Sequence, residues 1–214
     1  MTLKLWTRSV WLYVMYALAA GILVALLANW STWPAAQKIV AATYLLLPFH
    51  AWEEWRLPGG FAWQYNWVMG KSEQPDRHPM NQLTDMITVF GAMCFGLGQL
   101  VVGAGPAILM MTCFFAAAEL GMHTMFGYRM LERFRSKGKR TPYNPGLATA
   151  LLGFLPILVA GVWTLSGMTI SGGDILMALG LVVIFSAITF LPERLIKTSD
   201  EDYAFDPGYY KKFL

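Results

Sequence analysis

The sequence predicts an all-α fold, namely a polytopic membrane bundle of about six transmembrane helices. Of its 214 residues, 56% are hydrophobic and only 14% are charged, against roughly 25% charged residues in a typical soluble domain. Several segments without charge reach the length of about 20 residues that a helix needs to cross a bilayer. Almost all basic residues also fall on one side of the resulting topology. We therefore expect a single membrane domain over residues 1–214, and the composition excludes a disordered chain.

Six segments have the length and composition of a transmembrane helix. The first has no charged residue, and the second is apolar from Ile39 to Trp52 and then reaches Glu53 and Glu54. The third and fourth form one stretch that the turn signal Gly103-Ala104-Gly105-Pro106 divides. The fifth and sixth are uncharged through most of their length. The predicted helices lie near residues 9–30, 35–57, 84–103, 106–131, 146–167 and 174–194.

The distribution of basic residues predicts the orientation of the bundle. Six helices place both termini on the same side of the membrane, and all lysines and arginines except Lys38 fall on that side. The positive-inside rule then predicts cytoplasmic termini in the cell inner membrane. The basic segment 132–140 lies beside a membrane helix, so we expect it to contact anionic lipid headgroups and not nucleic acid.

Ionisable residues within the second and fourth helices form two clusters. One reads His50-Ala-Trp-Glu53-Glu54 and the other reads Glu119-Leu-Gly-Met-His123. Residues three or four apart share a helix face, so each cluster can present a histidine beside a carboxylate. Counted from the outer helix ends at about 1.5 Å per residue, both clusters lie at the same depth in the inner leaflet. Because ionisable groups are costly within a bilayer, the clusters indicate a functional site.

A divalent metal ion is the predicted occupant of this site. Several carboxylates in a low-dielectric interior cannot all stay ionised unless cations neutralise them. Histidine with carboxylate suits zinc, iron or manganese. Glu53 is either a ligand or a catalytic base, and Tyr143 is a candidate catalytic residue at the cytoplasmic rim. The candidate ligands for one or two ions are His50, Glu53, Glu54, Glu119, His123 and, at the start of the third helix, Asp85.

Simpler interpretations compete with a metal site. A histidine or glutamate in a helix bundle is often only a satisfied hydrogen-bond partner, and Glu119 could pair with His123. Glu53 and Glu54 could mark the inner water boundary, and Asp85 could be the favourable charge of a helix start. These interpretations account less well for two clusters at equal depth than a metal site does.

Three stretches of the sequence resemble, in order and spacing, the bacterial membrane family that is named for its HXXEE motif. They are His50-x-x-Glu53-Glu54, the pair Glu119 and His123, and Tyr143-x-Pro145-Gly146. The resemblance extends over about residues 40–190. It implies a poly-helical membrane protein and the same site residues, but no reaction, because the function of that family is uncharacterised. The architecture is more loosely similar to the sterol-isomerase-type membrane fold, in which His and Glu move protons on a lipid.

These observations predict a metal-dependent membrane enzyme, a hydrolase or an oxidoreductase, that acts on a lipid-like or apolar small molecule. A metal-free isomerase of the sterol-isomerase type would use the same carboxylates to add and remove protons. A proton-coupled small-molecule carrier would use them as a relay, since intramembrane carboxylates also mark ion paths. Six helices enclose little space and show no inverted repeat, which disfavours the carrier. The sequence indicates neither an oligomeric state nor a partner protein.

Overall fold

The computed structural model describes residues 2–214, apart from the side chain of Ser9. Within that range the chain is helical and has no β-strand, which confirms the predicted fold class. We number the longer helices α1 to α7, and a π-helical turn at Ala150–Phe154 lies within α6. The helices are α1 (Trp11–Ala28), α2 (Ala35–Trp55), α3 (Phe61–Val68), α4 (Gln82–Val102), α5 (Pro106–Phe134), α6 (Leu147–Ser166) and α7 (Gly172–Leu195).

Five helices of the described chain are long and apolar enough to cross a membrane, namely α1, α4, α5, α6 and α7. They indicate a membrane protein. Helix α2 has 21 residues but is less apolar, because it contains Lys38, Glu53 and Glu54. Both glutamates are buried within the bundle. Five of the about six helices that we predicted therefore meet both criteria.

Helix α2 lies at the centre of the bundle. It packs against α1, α4, α5 and α6, and α7 packs against α4 and α5 on the outside. The core takes fully buried side chains from five helices, including Trp11, Val40, Met93, Leu109 and Phe154. Burial of this apolar surface is the main term that holds the helices together where they face water, and close packing holds them where they face lipid.

The outward faces of the helices are apolar. Val101, Leu152 and Trp163 expose 88%, 82% and 80% of their surface. Soluble monomers rarely expose contiguous apolar surface on this scale. A lipid environment would solvate these side chains at no cost, which agrees with the composition of the five spans.

A buried amide of α2 holds the turn between α4 and α5. Gln37 donates from Nε2 to the carbonyl oxygen of Leu100 at 2.8 Å, and its Oε1 accepts from the N–H of Ala104 at 2.6 Å. At the other end of α4, the side chain of Asn81 accepts from the N–H of Thr84 in a capping box. These bonds satisfy backbone groups that a helix end otherwise leaves without partners.

Both chain ends and the longer loops meet at one end of the bundle. Lys4 forms an ion pair with Asp202, and Lys137 donates to the terminal residue Leu214. The segment 58–82, which the sequence suggested as a cover, contains the short helix α3. The C-terminal segment packs on this helix through Tyr210, which is fully buried. The composition of segment 58–82 gives little sign of α3, because its helix has only two turns.

Candidate functional site

Helices α2 and α5 each present a histidine and a glutamate one turn apart. His50 and Glu54 lie on α2, and Glu119 and His123 lie on α5 in the reverse order. His50 Nε2 lies 3.4 Å from Glu54 Oε1 and 3.4 Å from Glu119 Oε2. His123 Nε2 lies 3.3 Å from Glu54 Oε1 and 3.5 Å from Glu119 Oε2. The four donor atoms thus form a closed ring of alternating nitrogen and oxygen, which we name the four-residue centre.

The spacing of this ring fits ligands around an ion better than direct hydrogen bonds. Charge-assisted N–H···O bonds measure about 2.7–2.9 Å, which is shorter than any of the four distances. Neighbouring ligand atoms at about 2.0–2.2 Å from one ion lie roughly 2.8–3.6 Å apart, depending on the coordination geometry. The ligand atoms of His50, Glu54 and His123 also lie within 4.8 Å of one another. This group could therefore hold a metal ion.

Three donor atoms of the centre have no other partner. Nε2 of His50, Nε2 of His123 and Oε2 of Glu119 are buried and accept or donate no hydrogen bond within the described chain. A buried polar atom without a partner costs about 1–3 kcal/mol, so such atoms are rare. A cation at the point where they converge would satisfy all three.

Asn144 orients the imidazole of His123. Asn144 Nδ2 donates to the carbonyl oxygen of His123 at 2.7 Å, so its Oδ1 is the accepting side of the amide. His123 Nδ1 lies 3.1 Å from that Oδ1 and therefore carries the proton. In the neutral imidazole the lone pair is then on Nε2, which faces the other donors.

Thr149 orients His50 in the same way. Its hydroxyl lies 2.7 Å from Glu53 Oε2 and 2.7 Å from His50 Nδ1. The carboxylate can only accept, so the hydroxyl proton goes to Glu53 and the Thr149 oxygen accepts from His50 Nδ1–H. In their neutral form, both histidines therefore direct an Nε2 lone pair into the centre while a second residue holds Nδ1, as in known metal sites.

The Glu53 carboxylate accepts four hydrogen bonds from residues at or just before the start of α6. Oε1 accepts from the Tyr143 hydroxyl and the Ala148 N–H, both at 3.1 Å. Oε2 accepts from the Thr149 N–H at 2.9 Å and from the Thr149 hydroxyl. Consecutive residues point about 100° apart on a helix, so Glu53 and Glu54 cannot both face α5. The structure thus brings Glu54 into the centre and leaves Glu53 and Tyr143, both predicted to act in it, beside it.

Asp85, another predicted ligand, also lies outside the centre. Its Oδ2 accepts from the Trp55 indole N–H at 2.6 Å. Asp85 is buried in the first turn of α4 and lines the same cavity as His50, Glu54 and Glu119. Equal depth in the bundle therefore brings Asp85 near the centre without making it part of the ring of donor atoms.

The loop before α6 approaches His123 so closely that only glycine fits there. Gly146 has a φ of +93°, in the left-handed region, and a Cβ at this position would overlap the His123 imidazole. Glycine adopts this conformation without strain. The sequence Tyr143-Asn144-Pro145-Gly146 therefore brings Asn144 and the start of α6 against the centre.

Residues that the sequence did not indicate complete the support of the centre. Gln64 of α3 donates to Asn144 Oδ1 at 3.0 Å, and its Oε1 accepts from the Tyr210 hydroxyl. A chain of hydrogen bonds thus connects the C-terminal segment with His123. Thr149, Gln64 and Tyr210 carry no recognisable signal, while Asn144 stands in a motif that ordinary helix-start chemistry already explains.

An apolar cavity of about 260 Å³ lies beside the centre. His50, Glu54 and Glu119 form part of its wall. Glu119 is the most accessible of the four, with 16% of its side chain exposed. The rest of the wall comes mainly from α4, α5 and α7 and includes Val89, Ala92, Phe115, Met122 and Phe185. A small apolar molecule in this cavity would contact the carboxylates directly.

Comparison with known proteins agrees with the sequence motifs. A family model described as "Protein of unknown function with HXXEE motif" matches residues 41–161. The matched region includes the motif from His50 to Glu54 and both site residues of α5. No curated protein and no solved structure matches the chain. Because the match extends over more than half of the sequence, this chain belongs to the HXXEE-motif family.

Proposed function

We propose that the protein is an integral membrane enzyme that uses one divalent metal ion to act on an apolar or lipid-like molecule. His50, Glu54, Glu119 and His123 would hold the ion. The observation that carries the proposal is the convergence of buried donor atoms that lack hydrogen-bond partners, at the wall of an apolar cavity.

Charge balance supports an ion at this point. Two ionised glutamates and two neutral histidines carry a net charge of −2, which a divalent cation would neutralise. An uncompensated charge is costly in a low-dielectric interior. Two doubly protonated histidines would also balance the charge. They would, however, form direct bonds to the carboxylates, and the distances of 3.3–3.5 Å exceed those of such bonds.

The donor set indicates the class of ion and of reaction. Two nitrogen and two oxygen donors without a thiolate suit zinc, iron or manganese. Such an ion would act as a Lewis acid toward an oxygen atom of the substrate, in a hydrolysis or an oxidation. Glu119 would be the ligand nearest to the substrate because it is the most accessible. Asp85, in the cavity wall, would exchange protons with the bound molecule.

We further propose that the protein lies in the cell inner membrane with both termini in the cytoplasm. The support is the asymmetry of its basic residues and the meeting of both chain ends at one end of the bundle. In this arrangement α2 is a sixth span whose buried glutamates face other helices and not lipid. Membrane lipids would surround the apolar outer faces.

A metal-free isomerase is the second candidate function. Asp85, Glu54 and Glu119 come from three different helices and line one apolar cavity. Carboxylates on different sides of a bound double bond could add one proton and remove another. This function would need no cation at the four-residue centre.

Elemental analysis of the detergent-purified protein tests the metal site. We expect about one zinc, iron or manganese ion per chain in the wild type, and a loss of at least tenfold in His123→Ala and Glu119→Gln. His78→Ala is the matched control because His78 lies in segment 58–82, outside the centre, and it should keep the ion. Wild-type protein that elutes as a folded species, yet takes up none of these ions on reconstitution, would reject the metal enzyme and leave the isomerase.

A further inference from the structure

We infer that the substrate is a single-chain amphiphile that enters the cavity sideways from the bilayer, between α5 and α7. This inference rests on the proposed function and names the substrate class of the same site. It follows from where the cavity opens, how its polar groups are distributed and how large it is.

The cavity opens on the outer face of the bundle. Its wall includes Phe114 and Ala118 of α5 and Phe190 of α7. All three are exposed, Phe114 at 47% and Phe190 at 51% of their surface. Helices α5 and α7 are both long and apolar enough to span a membrane. Lipid chains, and not water, would therefore be the neighbours of this opening.

The end of the cavity near the loops is covered. Phe61 and Tyr65 of α3 and Met80 of the following loop also belong to the wall, and all three are buried. Phe61 packs against His123 with a distance of 5.0 Å between the ring centroids. A molecule from the aqueous phase would have to displace this layer, whereas a molecule in the bilayer would not.

The ionisable groups of the cavity wall are His50, Glu54 and Glu119 of the four-residue centre, together with Asp85. Of the four hydroxyl groups in the wall, that of Ser186 has no side-chain hydrogen bond within the described chain, whereas those of Tyr65, Thr88 and Thr189 are already used within the protein. Thr88 donates to the carbonyl oxygen of Thr189 at 3.2 Å, and the hydroxyl of Thr189 donates to backbone carbonyls of its own helix. A ligand that fits this wall is therefore apolar along its length and polar at one end.

The size of the cavity favours a ligand with a single hydrocarbon chain. Its volume of about 260 Å³ is below the ~300–1,000 Å³ of pockets that enclose drug-sized ligands. A fused-ring sterol nucleus, or two acyl chains side by side, would need more of this space than one hydrocarbon chain does. One hydrocarbon chain fits if its remainder stays in the bilayer. Its polar end would carry an oxygen atom, as in a fatty acid, ester or alcohol. Zinc, iron and manganese all bind oxygen ligands, so this atom could coordinate the ion.

Photolabelling with a fatty acid tests the route. The probe is palmitic acid with a diazirine in its chain, mixed into phospholipid vesicles that contain the protein. We expect labelled peptides from the cavity-lining parts of α5 and α7, and competition by unlabelled palmitic acid but not by cholesterol. Label spread evenly over the outer faces of all helices, or displaced by cholesterol alone, would overturn the inference.

Two neighbouring alanines provide a matched pair of variants. Ala118→Trp would fill the opening, so labelling should fall at least fivefold. Ala117 is also exposed on α5 but lies outside the cavity wall, so Ala117→Trp should label like the wild type. If Ala118→Trp does not fold, Ala118→Leu gives the same comparison with a smaller side chain. Unchanged labelling in a folded Ala118 variant contradicts the proposed entrance.

The metal content of the same samples separates the two proposals. An Ala118 variant that keeps its ion but loses the label supports both. A wild type that binds the ion but takes no label at the cavity rejects the single-chain substrate and leaves the metal site standing. Cavity labelling without any ion rejects the metal enzyme and supports the bound chain alone.

Discussion

His50 and His123 come from different helices and approach the same carboxylate oxygen. Glu54 Oε1 lies 3.4 Å from Nε2 of His50 and 3.3 Å from Nε2 of His123. The two rings are nearly perpendicular, at 89°, with centroids 4.9 Å apart. This arrangement lets both Nε2 atoms reach one point without overlap of the rings. It depends on Thr149 and Asn144, which hold the other ring nitrogens.

The adjacent glutamates of α2 should respond differently to the same substitution. Glu54→Gln removes a charged donor from the four-residue centre, so we expect the bound ion to be lost while the protein stays folded. Glu53→Gln should keep nearly full ion content. It should, however, lower the free energy of unfolding by about 1–3 kcal/mol, because an amide cannot accept all four bonds that Glu53 receives.

Metal content and thermal unfolding of both variants in detergent provide the measurement for this pair. Equal loss of the ion in Glu53→Gln and Glu54→Gln would mean that the two glutamates act together. That result would contradict the conclusion that Glu54 belongs to the four-residue centre and Glu53 lies beside it.

Asn144 should act as a positioning residue for His123. Asn144→Ala removes the acceptor for Nδ1–H, and loss of such a supporting bond typically lowers metal affinity about 10–100-fold. Asn144→Asp keeps an accepting oxygen and should recover part of this affinity. The measurement is competition for the ion by a chelator of known affinity.

Asn66→Ala is the control for a merely structural effect. Asn66 is also fully buried, and its side chain bonds to the backbone of Met80 and Pro75, away from His123. We expect lower stability but unchanged metal affinity in this variant. If Asn144→Ala and the wild type had equal affinity for the ion, Asn144 would not be a positioning residue of the site.

Alanine substitutions at two glycines of similar backbone conformation distinguish the effect of backbone strain from that of a steric clash. Gly146 and Gly138 have φ values of +93° and +94°, so alanine at either costs roughly 1 kcal/mol in backbone strain. An added Cβ at Gly138 contacts nothing within 4 Å, whereas at Gly146 it overlaps the His123 ring. We therefore expect Gly146→Ala to be the less stable variant and to bind the ion more weakly. Identical thermal midpoints and ion affinities for the two variants would contradict the close approach.

Lys139, in the loop after α5, should make stability depend on alkaline pH. Burial, with repulsion from Lys212, lowers the pKa of Lys139 from 10.5 to about 8. The neighbouring groups include the hydroxyl of Tyr209 and the backbone carbonyl of Tyr143. Between pH 8 and 10.5 the unfolded chain keeps a proton on this lysine that the folded chain has released. The free energy of unfolding therefore rises with pH in this window.

Thermal midpoints from pH 7.5 to 10.5 test this dependence. Lys139→Met has no proton to release and should lack that part of the rise. Lys137→Met changes an exposed side chain nearby and should follow the wild-type profile. A Lys139→Met profile parallel to that of the wild type would show that Lys139 does not contribute.

The resemblance of the sequence to the HXXEE-motif family led to the correct family, and the site residues of α2 and α5 lie in the matched region. The pairs His50 with Glu54 and Glu119 with His123 could be predicted because a helical repeat places residues four apart on one face. Counting residues from the helix ends predicted Asp85 at the depth of the two clusters, and Asp85 lines the same cavity, but depth alone does not predict contact. Helix α3 was missed because two turns leave little periodicity to read.

The amino-acid sequence by itself determined that the chain is an all-helical membrane-type protein and which two helices carry histidine beside glutamate. These properties are local, since they depend on hydropathy, charge and helical repeat. Only the tertiary structure decided that Glu54 and not Glu53 faces α5, and that Asn144, Thr149, Gln64 and Tyr210 support the histidines. Those choices depend on how each helix is rotated about its axis and which neighbour it packs against, and this is set by contacts between residues far apart in the chain.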